Sequence, residues 1–157
     1  MIRIKDHKQR DLFDPWDFLS PKRRRMLDQS WPGLFRKHLL HELPVDKIKP
    51  FLHRDFGRPS KELHTLLGVL LLQQTLDLND SQTVEQLSFN IQWHYALNIT
   101  EEGDSAKYIS EKTLWSWRQV LLEQQLDQLI FEKMTDKLAK VFAVNTDQQR
   151  IDSVHIQ

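Results

Sequence analysis

The segment QRIDSVHIQ, residues 149–157, alternates so that Arg150, Asp152, Val154 and Ile156 share one face of an extended strand. Ile151, Ser153, His155 and Gln157 share the other. A carboxylate beside Val154 and Ile156 is costly unless something pairs with it. The residues taken alone favour a plain strand-edge or turn carboxylate at Asp152. His155 points away from Asp152, so the two do not make an Asp-His catalytic pair. A second chemical group is the run Lys22-Arg23-Arg24-Arg25, whose cheapest use is to neutralise phosphates, giving salt-sensitive affinity without sequence information. A third is the outward set Lys112, Trp115, Arg118 and Gln119 at helical spacing. Arg suits guanine and Gln suits adenine in a major groove; the alternative is an ordinary amphipathic helix with Trp115 covering a neighbour. Arg58, beside Gly57 and Pro59, is either a phosphate contact or a charge bracing its loop. The histidines in HLLHE, His38 and His41, do not follow the H-E-x-x-H order, lack a third ligand at useful spacing, and point away from zinc. No Gly-rich phosphate loop and no G-x-S-x-G elbow occurs.

Helices must position these groups. Asp14-Pro15 and Ser20-Pro21 each place a capping side chain before a proline, predicting two short helices, the second carrying the basic run. Pro32 opens a helix that Pro44 ends, and residues 45–53 form another. After Ser60, a cap, the stripe Leu66, Leu67, Leu70 and Leu71 predicts the central helix. Gly68 within it marks the close approach of a neighbour, because glycine costs about 1 kcal/mol there relative to alanine. The turn DLNDS caps a helix through Val84, Leu87, Ile91 and Tyr95, and an acidic loop follows over 98–107. Ser110 caps a helix with Leu114, Trp117 and Leu121 inward. A last helix runs from Leu126 to Val141, with Asn145 as a left-handed stop. The fold class is therefore all-α: a compact domain of about six to seven helices, residues 1–145, followed by one C-terminal β-strand lacking its sheet. A lone strand is not stable in water, so the sequence reads as the front part of a longer protein.

The 157 residues suffice for one domain with a real core, and 39% hydrophobic with 28% charged residues is ordinary for a globular chain and does not indicate disorder. The longest apolar run, 66–72, is far too short to span a bilayer, and the start MIRIKDHKQR has no secretory h-region. With no cysteine there are no disulfides and no Cys-based zinc sites; the cytoplasm is the expected compartment. A formal net charge of zero divides unevenly. Residues 1–61 carry 15 Lys+Arg against 8 Asp+Glu, and residues 62–157 carry 7 against 14. The basic half is where a polyanion would sit, unless the two halves simply attract each other.

Five pieces in order, GRPSKELHTLLGVLLLQ from Gly57, NDSQTVEQL from Asn79, WHYALNI from Trp93, SEKTLWSWRQVL from Ser110 and finally RIDSVHI, resemble the N-terminal InsH-like module of bacterial insertion-sequence transposases of the DDE kind. The resemblance covers about residues 34–157. It implies a helical DNA-binding and oligomerisation domain over 1–145, with 146–157 as the first strand of an RNase-H-like catalytic domain. Asp152 matches the first catalytic aspartate and would be one ligand of a metal site left incomplete here. In the full-length parent, Mg2+ (or Mn2+) would be held by three carboxylates. The second aspartate and the glutamate would lie beyond Gln157, so this chain is expected to bind no such cofactor and to lack cleavage and strand transfer. The partners implied are double-stranded DNA carrying terminal inverted repeats, in the nucleoid, with a homodimer as an open alternative and no membrane. A stand-alone helical protein-interaction module, or a regulatory DNA binder without catalytic role, is the rival reading.

Overall fold

The computed structural model describes residues 3–7, 14–51 and 61–144. Among these residues the fold is all-α, with no strand. Arg58, Ser60, Asn145, Asp152 and the C-terminal strand expected over 149–157 lie outside the described residues.

The first helix, α1 (Pro21–Asp28), starts as the Ser20-Pro21 pair predicts: the Ser20 side chain accepts from the Arg23 amide at 3.4 Å. Asp14-Pro15 instead makes turns. Asp14 Oδ1 accepts from the Trp16 amide at 3.0 Å, and the Leu19 amide bonds Trp16 O at 3.0 Å. These turns let both Trp16 and Leu19 reach a small apolar cluster with Leu27 and Tyr95. The helix opened at Pro32 is not uniform. It begins as α2 (Trp31–Leu34), widens into a π-helical turn over Phe35–Leu39, closed by the Leu40 amide on Phe35 O, and tightens into a 3-10 turn over Leu40–Glu42. The changes of pitch keep Phe35, Leu39, Leu40 and Leu43 all in the core. Next come α3 (Val45–Ile48) and a 3-10 turn over Lys49–Phe51.

The central helix is α4 (Leu63–Thr75), and it is capped by Glu62. It is followed by α5 (Asp80–Phe89), α6 (Ile91–Ala96), α7 (Asp104–Lys107), α8 (Glu111–Glu123) and α9 (Leu126–Val141). The cap expected in the DLNDS turn is Asn79, which with Gln82 forms a reciprocal capping box at the start of α5. The periodicity through Val84, Leu87 and Ile91 hides a break at Asn90. Its amide closes α5 on Gln86 O, its backbone is extended, and its side chain caps α6 through the Gln92 amide at 2.8 Å.

Gly68 has the role its sequence position suggests. A Cβ there would run into Cδ2 of Leu97, itself fully buried, and would stand 3.7 Å from the Phe35 ring. Helices α4, α6 and α9 end in one shared way. Asp77, Asn98 and Ala143 adopt left-handed backbone, with φ of 51°, 51° and 49°. The next amide in each case bonds the carbonyl five residues back: Leu78 to Gln73, Ile99 to His94 and Val144 to Ala139, at 3.0, 2.9 and 2.9 Å.

Two measurements of denaturant midpoint check this account. Gly68→Ala lowers stability by about 1 kcal/mol, because overpacking of roughly 1–3 kcal/mol outweighs the helix-propensity gain; Leu97→Val recovers part of that loss. Ala143→Gly raises stability by about 1 kcal/mol, the cost of a left-handed β-carbon.

Candidate nucleic-acid interface

Helix α1 turns Leu27 toward Trp16, Leu19 and Tyr95 and leaves Lys22, Arg23 and Arg25 exposed. These three side chains make no ion pair among the described residues, and the first turn has no acidic residue to offset them. Arg24 is different. It pairs with Asp14 at 2.9 Å and Asp28 at 3.7 Å, and its guanidinium lies 5.3 Å from the centre of the Tyr95 ring. Arg36 sits 4.7 Å from the same ring and 5.8 Å from the Trp16 ring. The Tyr95 hydroxyl donates to Asp28, and burial together with that carboxylate raises the phenol above its ordinary range. Of the four consecutive cations, three face solvent and Arg24 holds α1 to the body.

Helix α8 is capped by Ser110, whose hydroxyl accepts from the Thr113 amide at 3.2 Å. Leu114 and Leu121 are buried, and Trp117 packs against the core at half exposure. On the opposite side Lys112 and Trp115 are exposed, Trp115 by 57%, and Gln119 is half-buried beside them. Arg118 departs from the outward placement expected of it. Its two Nη atoms grip both oxygens of Asp80, the Nη2 to Oδ2 distance being 2.7 Å, and Nη1 also donates to Gln73 Oε1 at 3.0 Å. Gln73 Nε2 closes the triangle on Asp80 Oδ1 at 2.7 Å. The fork fastens α8 to α4 and α5, so Arg118 is engaged within the protein while Lys112, Trp115 and Gln119 form the outward stripe. The structure thus joins NDSQTVEQL to SEKTLWSWR, which sequence spacing kept apart. Helix α1 rests on α2, and α8 rests on α5 and α9, so the basic cluster and the stripe have different supports.

Glu42 of HLLHE serves an ion-pair network, with Lys137 at 3.2 Å, His41 at 3.4 Å and Lys133 at 3.9 Å. That network ties the 3-10 turn to α9. The three-ligand grouping that the described residues do assemble is His7, Glu62 and His64. Sequence spacing gave no sign of it, because His7 is remote from the E-x-H of α4.

The hydrogen bonds from Arg118 hold the Asp80 carboxyl below its ordinary value of 3.8, against burial, which acts the other way. A depressed carboxylate contributes stability that is complete above the unfolded value and is lost as pH falls through the folded one. Arg118→Ala is therefore expected to cost about 1–2 kcal/mol at neutral pH, reduced by partial solvation of the pair. The gap to the wild-type protein closes below about pH 4 in urea titrations. Arg118→Lys, which lacks the planar fork, recovers only part of the loss.

No curated protein and no solved structure matches the chain. Residues 25–120, more than half of its length, match the family described as Transposase domain (DUF772). That stretch runs from the end of the basic cluster into α8, and it contains both partners of the Arg118–Asp80 fork. The chain belongs to the Transposase domain (DUF772) family.

Proposed function

We propose that this chain is the DNA-binding N-terminal part of a DDE transposase and recognises the terminal inverted repeats of an insertion sequence. The observation that carries the reading is the outward stripe of exposed Lys112 and Trp115 with half-buried Gln119, on a helix whose orientation is fixed by the Arg118–Asp80 fork. A rigidly held polar helix face can enter a major groove, where Gln119 suits an adenine edge and Trp115 offers apolar contact. Lys22, Arg23 and Arg25 supply phosphate contacts that set register without reading sequence. Arg24 and Arg118, engaged inside the protein, act on this interface by positioning α1 and α8. Arg58 remains a proposed phosphate contact.

The same reading keeps Asp152 as the first carboxylate for Mg2+ or Mn2+ in the parent enzyme. The three-ligand grouping within the described residues, His7, Glu62 and His64, is too rich in imidazole to suit either ion. A second reading, a protein-interaction module, is favoured by the apolar groove between α4, α8 and α9, where Leu122 and Phe131 are 56% and 68% exposed.

Gel-shift titrations with duplexes carrying the ends of the surrounding genomic element separate the two readings. The transposase reading expects binding that prefers those ends to random duplex and weakens with salt. Replacing Lys22, Arg23 and Arg25 by alanine lowers the log–log salt slope by about 2–3 and weakens all duplexes alike. Gln119→Ala narrows the preference for the ends by about 1–3 kcal/mol and leaves the slope unchanged. Indifference of the wild-type protein to every DNA sinks the DNA reading and favours the interaction module.

A further inference from the structure

We propose that His7, Glu62 and His64 form a zinc(II) site that fastens the N-terminal arm, residues 3–7, to the start of α4. Glu62 Oε1 lies 3.0 Å from His64 Nδ1, and Glu62 Oε2 lies 3.6 Å from His7 Nε2. One ligand atom from each of the three residues falls within 4.8 Å of the others. Ligands about 2.0–2.1 Å from a tetrahedral zinc stand roughly 3.4 Å from one another; the 4.8 Å bound on the three ligand atoms brings them within a small closing movement of that spacing, in which one ion replaces the direct His64–Glu62 hydrogen bond. Two imidazoles and one carboxylate are a donor set that suits zinc far better than magnesium or calcium. The two rings stand edge to face, 4.7 Å apart at 75°, and do not block each other's approach to a shared centre.

The second line of argument comes from two polar atoms that have no hydrogen-bond partner among the described residues. The His7 side chain is only 3% exposed, yet its Nε2, aimed at Glu62, makes no hydrogen bond. A separation of 3.6 Å is too long for a hydrogen bond and right for two ligands across a metal. The Oδ1 of Asn98 is likewise buried and unpartnered, while its Nδ2 faces His7 Nδ1 at 3.4 Å. Rotating the Asn98 carboxamide by half a turn, an assignment that only the hydrogen-bond network decides, lets Oδ1 accept from His7 Nδ1–H. That tautomer leaves the Nε2 lone pair free for the ion, the arrangement in which an outer carbonyl orients a ligating histidine. One ion and one amide rotation thus satisfy both atoms.

Glu62 is suited to the role. Burial would raise its carboxyl, but the neighbouring imidazoles of His64 and His7, with the Thr65 amide at 2.7 Å and the Lys5 amide at 3.2 Å, overcome that and hold it well below the usual carboxylate range. It stays ionised throughout the neutral range. The arm is already tethered through the Lys5 amide on Glu62 Oε1 at 3.2 Å and the Leu63 amide on Arg3 O at 3.1 Å. The cluster opens on a cavity of about 470 Å³ lined by Lys5, Thr65, Lys61 and Thr100, which has room for a water as fourth ligand. Lys61 Nζ is drawn away toward the carbonyls of Ser105 and Tyr108, at 2.8 and 2.6 Å. Burial pushes its amine down to about 8.

The test uses the full chain, stripped with a chelator and titrated with zinc against a chromophoric competitor, with cobalt(II) as a spectroscopic substitute. One zinc per chain and the intense visible bands of four-coordinate cobalt are expected. Because Glu62 also caps α4, the diagnostic variant is His7→Gln, with folding checked by circular dichroism; it loses stoichiometric binding. Asn98→Ala, which removes only the orienting amide, weakens zinc affinity roughly 10–100-fold. Wild-type protein that takes up no zinc, or takes up as much after His7→Gln as before, overturns the site and leaves a histidine–carboxylate ion pair.

Discussion

Ten of the thirteen residues of α4 are buried, so its polar groups must find partners inside the protein. The amides of its first turn are met by Glu62, which accepts from His64 and Thr65 at 3.1 and 2.7 Å. Gln73, buried near the other end, is met by Asp80 and Arg118. Between them Gly68 lets Leu97 close on the backbone. Each of the three points fixes another element: the N-terminal arm, the α5–α8 pair and the end of α6. The two places where chemistry is proposed are therefore both extensions of the way one buried helix is satisfied.

The uneven division of charge takes a specific form. Arg24 and Arg36 lie against Trp16 and Tyr95, where aromatic faces and the carboxylates of Asp14 and Asp28 compensate them. Lys22, Arg23 and Arg25 have no such partners among the described residues and project a positive field from α1. A tyrosine that receives two guanidiniums on its ring and donates a hydrogen bond to an aspartate is a junction of compensated charge. The solvent-facing cations beside it are what a polyanion would meet.

Much of the fold was legible because local chemistry decided it. The Ser20-Pro21 start, the Asn79 box, the Ser110 cap and the close approach at Gly68 all depend on residues within a few positions of each other, or on the absence of a β-carbon. The misplaced boundaries have physical reasons. Asn90 sits in an unbroken apolar rhythm, and only its competition for neighbouring amides divides α5 from α6. Asp77 and Asn98 are residue types that tolerate left-handed backbone, whereas Ala143 gives no sign of it and the nearby Asn145 is the residue whose type suggests a stop. The candidate sites were legible as side chains but not as contacts. Arg118 sits on the border between stripe and core, and only the approach of α5 shows that its charge is spent on Asp80. His7 and Glu62 are brought together by tertiary folding alone.

The widened turn at Phe35–Leu39 amounts to an ordinary helix carrying one surplus residue. Such a turn lends the chain a reserve of length: a single-residue deletion among Arg36, Lys37 and His38 can be absorbed by reverting to regular α pitch. Because the surplus residue is taken up inside that one turn, its loss leaves the chain on either side at nearly the same angle. The connection between the basic helix and the central core can therefore shorten by one residue here while Phe35, Leu39, Leu40 and Leu43 keep their places.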